Sequence, residues 1–269
     1  MNIQRISACT YPLREQPCDY ALQVLADSGV HRADLWGRDP HFPELPTDEQ
    51  LSAIEEISAA TGVAIANLGT YPGHDFSSDD PDEREADLRN MHITIDAAER
   101  LGCRSIRIMP GKGEDPAVID AVAPLMAESA DHAEEAGVYL GMENHRGSIA
   151  GNPEHALRLC EAVGSDHFGV LFEPCNLLHA GVDYREAFEA FADWIVHVHV
   201  KDGRRTEDGF ERVHLGEGDV DPQWIIDALE GISYQGDYAL EYEIADIEPV
   251  ESGLRRWVNK FQDIQQRPS

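Results

Sequence analysis

Four short stretches of this chain each bring a carboxylate or an imidazole to the end of an apolar run. They are Leu140-Gly141-Met142-Glu143-Asn144-His145, Val170-Leu171-Phe172-Glu173-Pro174-Cys175-Asn176, His197-Val198-His199-Val200-Lys201-Asp202 and Ala239-Leu240-Glu241-Tyr242-Glu243. Taken singly, each glutamate has an ordinary explanation as a strand end that reaches solvent. With 51 acidic residues in the chain, chance glutamates are also common. Their coincidence matters if the four runs are neighbours, because the ends then converge on one point. Three carboxylates there repel one another and raise each other's pKa unless a cation is present. An oxygen-rich set with one imidazole suits Mn2+ or Mg2+, with Zn2+ or Co2+ as further options. The pattern therefore predicts one bound divalent metal. His197 and His199 point the same way along their run, about 6.6 Å apart, and one of them is expected to be a packed or hydrogen-bonded core residue.

The elements that must position these groups read as an alternation of strands and helices. Candidate strands cover residues 3–9, 33–36, 63–68, 105–109, 138–143, 168–173, 195–200 and 238–242. Amphipathic helical patterns lie near residues 19–28, 47–61, 82–101, 116–136, 153–163, 184–193 and 222–229, and a last helix covers about residues 249–266. Gly62, Gly102 and Gly137 stand just past helices and just before strands, where a left-handed turn is usual. Asn152-Pro153 and Asp221-Pro222 place a capping side chain before a proline at the first helical position. Eight strands alternating with helices argue for a parallel α/β sheet. No Gly-x-Gly-x-x-Gly or Walker pattern opens a helix, which weakens an open nucleotide-binding sheet. No linker or low-complexity segment divides the chain. The expectation is one (β/α)8 TIM barrel over residues 1–269 with a C-terminal closing helix, in which catalytic groups come from the C-terminal strand ends.

Composition sets the outer limits. A chain of 269 residues matches the roughly 250 typical of such a barrel. There is no basic segment followed by an apolar stretch at the start and no run long enough to cross a bilayer, so a soluble cytoplasmic protein is expected. Five scattered cysteines without a CxxC pair fit reduced thiols. Fifty-one acids against twenty-one bases give a formal net charge of −30. That field repels nucleic acid and anionic lipid, so neither is an expected partner. The acids are spread through every presumed helix, and only Lys112, Lys201 and Lys260 are lysines. This suggests a halophilic adaptation to a salty cytoplasm, where screening shortens the Debye length to roughly 3 Å at 1 M. A small-molecule sugar or polyol is the expected partner, with homo-oligomerisation left open.

The four strand-end motifs, together with Leu215-Gly216-Glu217-Gly218-Asp219, resemble the xylose isomerase-like sugar isomerase/epimerase superfamily in their order and spacing. That superfamily includes ketose 3-epimerases, hydroxypyruvate isomerases, inosose dehydratases, dehydroshikimate dehydratases and endonuclease IV. The resemblance spans nearly the whole chain and is densest from residue 138 to 243. It implies a metal held by Glu143, Glu173, His199 and Glu241, with Mn2+ the leading choice, and Glu143 and Glu241 as an acid/base pair. Glu173 departs from the aspartate usual in the family. The implied activity is isomerisation or epimerisation through an enediolate, by proton abstraction alpha to a carbonyl. The alternative is dehydration of a cyclic polyol ketone or a dehydroshikimate-type substrate. Endonuclease IV needs further zinc ligands where this chain has Met109 and Asn176, both poor donors for Zn2+. A barrel that only binds a metabolite is a further alternative, opposed by the retained ligand set.

Other polar residues complete the candidate list. His145 and Lys201 are placed with the catalytic groups, His145 as a donor to a substrate oxygen and Lys201 in a buried pair with Asp202. For substrate contact the candidates are Trp36 as an apolar wall, Arg107 facing a carboxylate or phosphate, and Arg212 and His214 covering the mouth. Each also has a structural explanation: packing for Trp36, an internal salt bridge for Arg107, a solvated loop for Arg212 and His214, and helix capping for His145.

Overall fold

Short apolar runs bounded by glycine, proline and capping residues form strands that are buried on both faces, as a parallel sheet wrapped by helices requires. In the computed structural model, which describes residues 5–266, these are β1 (Ile6–Cys9), β2 (Arg32–Trp36), β3 (Ala64–Gly69), β4 (Ser105–Ile108), β5 (Tyr139–Glu143), β6 (Phe168–Phe172), β7 (Ile195–Val200) and β10 (Tyr238–Leu240). They close in the order β1-β10-β7-β6-β5-β4-β3-β2. Every pairing in the ring is parallel. The expected barrel is therefore present, and the four motif-bearing strands are consecutive in it. Residues 3 and 4 of the first expected strand lie outside the described residues.

The outer layer holds α1 (Cys18–Asp27), α2 (Asp48–Thr61), α3 (Pro81–Leu101), α4 (Ile119–Ala136), α5 (Pro153–Val163), α7 (Tyr184–Phe191), α8 (Pro222–Gly231) and α9 (Val250–Gln265). The expected caps are present. Asn152 accepts from the backbone of Glu154 and His155, and Asp221 from that of Trp224. Gly62, Gly102 and Gly137 end their helices in the left-handed conformation. In α9, Leu254, Trp257, Val258 and Phe261 recur at the spacing of one helical face and are all buried. All five cysteines are buried and free. Among the described residues no helix is long and apolar enough to cross a membrane.

Two elements at the mouth were not anticipated. Strand β6 stops at Phe172, one residue early, because Glu173 becomes the N-cap of a short helix, α6 (Pro174–Ala180), with proline at its first turn. Beyond β7 the chain forms an antiparallel hairpin, β8 (Asp202–Thr206) and β9 (Gly209–Val213). Asp202 anchors the loop that follows: its carboxylate accepts from the backbone N–H groups of Gly203, Gly216, Gly218 and Val220 at 2.8–3.2 Å. Gly218 is required there, since a Cβ would lie 2.2 Å from the Asp202 carboxylate. The Leu215–Asp219 motif is thus a wrapped turn around a buried carboxylate.

Candidate active site at the barrel mouth

Alternation along a strand puts every second residue inward. In β5, β7 and just past β10 that places Glu143, His199 and Glu241 around one point. One donor atom from each lies within 4.8 Å of the others. His199 Nδ1 is 3.8 Å from Glu143 Oε1 and 3.6 Å from Glu241 Oε2. It is buried and has no hydrogen-bond partner. The opposite ring atom, Nε2, is engaged 2.9 Å from Asp34 Oδ2, and the same carboxylate oxygen lies 2.8 Å from His197 Nε2. An ionised carboxylate only accepts, so Nε2 of each ring carries the proton. Asp34 is held ionised: burial opposes its charge, but the hydrogen bond from His197 and the charge of His199 hold its pKa well below the usual carboxylate range.

Burial likewise opposes charge on His199, but Cys9, Glu241 and Asp34 raise its pKa well above the ordinary imidazole value. The negative field that favours a proton on Nδ1 equally favours a metal cation in its place, with release of that proton. An orphaned imidazole nitrogen facing two carboxylates, with its other nitrogen held by a carboxylate, fits the donor set of a divalent metal site.

Neighbours fix each carboxylate. Arg107 Nη1 donates to Glu143 Oε2 at 3.0 Å, while Nη2 and Nε donate to the carbonyls of Gly69 and Thr70. Asn176 Nδ2 donates to Glu143 Oε1 at 3.1 Å. Lys201, completely buried, sits 2.6 Å from Glu241 Oε2, 2.9 Å from Glu243 Oε2 and 3.5 Å from Glu173 Oε2. Burial alone would raise the pKa of Glu241, but Lys201 and then His199 hold it well below the ordinary value. Glu241 is therefore an ionised group close to a buried ammonium.

Glu173 is placed differently from the other three. Its oxygens accept from the backbone N–H groups of Cys175 at 3.0 Å and Asn176 at 2.6 Å, capping α6. It does not join the Glu143–His199–Glu241 group. Asn144 exchanges two hydrogen bonds with the Glu173 backbone, which ties the end of β5 to that of β6. Burial, only partly offset by Lys201, pushes the Glu173 carboxyl up to about 7.

A cavity of about 310 Å³ opens above these groups, at the small end of the range for metabolite sites. Trp36 lines it, its Nε1 donating to Tyr71 Oη at 3.2 Å. Arg107 also lines it, stacked 4.4 Å from the Tyr71 ring centre. His145 is exposed at its edge, with Nδ1 2.6 Å from the Arg146 carbonyl. Arg212 borders the cavity and pairs with Glu243 at 2.9 Å.

Three sequence expectations are corrected. Lys201 does not pair with Asp202, because adjacent strand residues face opposite ways; its partners are glutamates. His214 does not cover the mouth. It follows β9 under α9, where Trp257 Nε1 donates to its Nδ1 at 3.2 Å. Glu173 does not join the ligand group, because its oxygens cap α6. Arg107 forms the internal salt bridge given as its structural explanation, to Glu143, while still lining the cavity. Sequence reasoning also missed Asp34, Tyr71 and Arg146. Asp34 carried a usable signal, a lone carboxylate inside the apolar run Ala33-Asp34-Leu35; Tyr71 and Arg146 lie in loops without periodicity.

Comparison with known proteins agrees with this fold. A family described as xylose isomerase-like TIM barrel matches residues 22–261. The chain is 25% identical over 236 residues to an L-ribulose 3-epimerase of Mesorhizobium japonicum, covering 81% of this chain and 75% of that protein. It is 25% identical over 126 residues to an inosose dehydratase of Clostridium perfringens, covering 41% of this chain and 42% of that one. The chain spans less than half the length of the first curated relatives it matches. Among solved structures, a xylose isomerase-like TIM barrel protein of Mycobacterium smegmatis in complex with magnesium superposes with a TM-score of 0.79. Its identity is 19%, over 96% of both chains.

Proposed function

Because the chain belongs to the xylose isomerase-like TIM barrel family, we propose that it is a metal-dependent isomerase or epimerase acting on a small polyhydroxylated carbonyl compound. The observation that carries this reading is the buried, unpartnered His199 Nδ1 facing Glu143 and Glu241. Those three residues would hold one divalent ion, Mn2+ by the chemistry of the donors, which supplies Lewis acidity toward the substrate carbonyl and the adjacent hydroxyl. Glu173 stands apart from these donors, with its oxygens committed to capping α6.

The chain's own residues then move the proton. Glu241, ionised beside Lys201, accepts the proton from the carbon alpha to the carbonyl, and the substrate becomes an enediolate. Glu143, oriented by Arg107 and Asn176, serves as the second acid/base group on the other side. Return of a proton to the opposite face of the same carbon gives epimerisation, and return to the neighbouring carbon gives isomerisation. Lys201 and His145 donate to developing oxygen charge, and Trp36 and Tyr71 shield that wall from water. Loss of a β-hydroxyl from the same enediolate is the second reading, supported by the inosose dehydratase likeness. Against a nuclease, Met109 lines the cavity as a thioether and Asn176 is engaged by Glu143, so neither adds a zinc ligand.

Turnover of ketoses, inososes and hydroxypyruvate in D2O with Mn2+ tests the reading. At least one compound should gain deuterium alpha to its carbonyl or lose a hydroxyl. Glu241→Gln should lower that rate by at least about 100-fold, since it removes a base and a ligand together. Cleavage of abasic-site DNA with every sugar untouched would overturn it.

A further inference from the structure

Acidic residues outnumber basic ones 51 to 21 in this chain, yet four carboxylates and four cations line the mouth cavity. Three of those cations are matched: Arg107 by Glu143, Lys201 by Glu241 and Glu243, and Arg212 by Glu243. Arg146 is the exception. It stands exposed in the loop after β5 and lines the cavity, and its guanidinium has no ion pair or hydrogen bond among the described residues. Elsewhere in the chain Arg89, Arg100 and Arg256 pair with carboxylates, whereas Arg158 on α5 has no ion pair among the described residues. What sets Arg146 apart is that its unmatched charge lines the cavity.

Arg146 also borders an adjoining groove with Arg205 and His179. Burial, then Arg146, Arg212 and Arg205, lower the pKa of His179, so these cations share one side of the rim. With an ion held by Glu143, His199 and Glu241 in place of the His199 Nδ1 proton, the four carboxylates and four basic side chains balance and the cavity is left with two positive charges. The loaded site would then be a positive spot inside a molecule of formal charge −30, and it would concentrate anions by focusing the field. A neutral polyol offers Arg146 only hydroxyls. A carboxylate or phosphate offers two oxygens that match the guanidinium fork.

Resting on the function proposed above, we propose that the substrate carries an anionic oxygen group, carboxylate or phosphate, that pairs with Arg146 and lies beside Arg212. Calorimetry on the Mn2+-loaded chain can compare ribitol with D-ribonate and ribitol 5-phosphate, and myo-inositol with quinate. At least one anion should bind at least about tenfold tighter than its neutral counterpart, a difference of about 1.4 kcal/mol. Ribonate or quinate showing the advantage identifies a carboxylate, and the phosphate ester a phosphate. Arg146→Gln should cut the advantage below about threefold at unchanged metal content. Arg158→Gln, an exposed charge removed from α5, should leave it intact. The proposal is overturned if no anion binds, if the neutral compounds bind equally well, or if Arg146→Gln keeps the preference. Metal content of the same samples separates the two claims. Wild type without metal strikes at the proposed function, whereas metal without anion preference strikes at this inference alone.

Discussion

The two halves of the ring finish differently. Strands β1 to β4 end in Cys9, Trp36, Gly69 and Ile108, whereas β5, β7 and β10 end at or beside Glu143, Lys201 and Glu241. The second half supplies the charged groups that face one another. The first half supplies walls and two charged side chains that reach across, Asp34 to His199 and Arg107 to Glu143. Labour is divided: one side of the barrel carries the donor atoms and the other decides how they point. Such outer partners set tautomer and ring orientation, and their loss typically costs 10–100-fold in metal affinity.

Asp34→Asn attacks that division where the largest effect is expected. Metal affinity should fall by about 10–100-fold, and the imidazole nitrogen shifts of His199 in the apo protein should report loss of the fixed Nε2 proton. An unchanged dissociation constant would make Asp34 a mere packing residue.

Glu173 tests whether every carboxylate in the second half is equivalent. Its carboxyl is raised from an ordinary 4.5 to about 7, so the native metal-free chain keeps that proton to higher pH than the unfolded chain does. The contribution of Glu173 to native stability should therefore fall as pH rises from about 4.5 through 7, by roughly 3 kcal/mol. Denaturant unfolding of chelator-treated protein should show Glu173→Gln losing less stability than wild type between pH 5 and pH 8. Parallel losses would mean that Glu173 titrates like its neighbours.

The smallest effect belongs to the wall. Trp36→Ala should raise KM by roughly tenfold or less with kcat within about threefold, because apolar contact contributes to ground and transition states alike. A collapse in kcat would move Trp36 into the reacting set.

Much of this was legible in the sequence because it rests on local rules. Capping residues, helix-ending glycines and the two-residue period of the strands located the barrel and its charged strand ends, while the choice of His199 over His197 and of Glu241 over Glu243 came from the family resemblance. What escaped depends on partners far away in the chain. Glu173 looked equivalent to the other acids until Pro174 made it a helix cap. Lys201 and Asp202 looked like a pair because they are adjacent, and alternation separates them. The β8–β9 hairpin has no hydrophobic alternation to announce it, and Arg146 sits in a loop where only the three-dimensional rim reveals an unmatched charge.

Glu143, His199 and Glu241 are proposed to form one metal site. Chelator-stripped protein titrated with Mn2+ in a calorimeter, with elemental analysis of the product, measures it directly. One equivalent per chain is expected for wild type, with that binding lost in both His199→Ala and Glu143→Gln while circular dichroism shows the barrel intact. Full stoichiometric binding by both variants, or no binding by wild type, would contradict it.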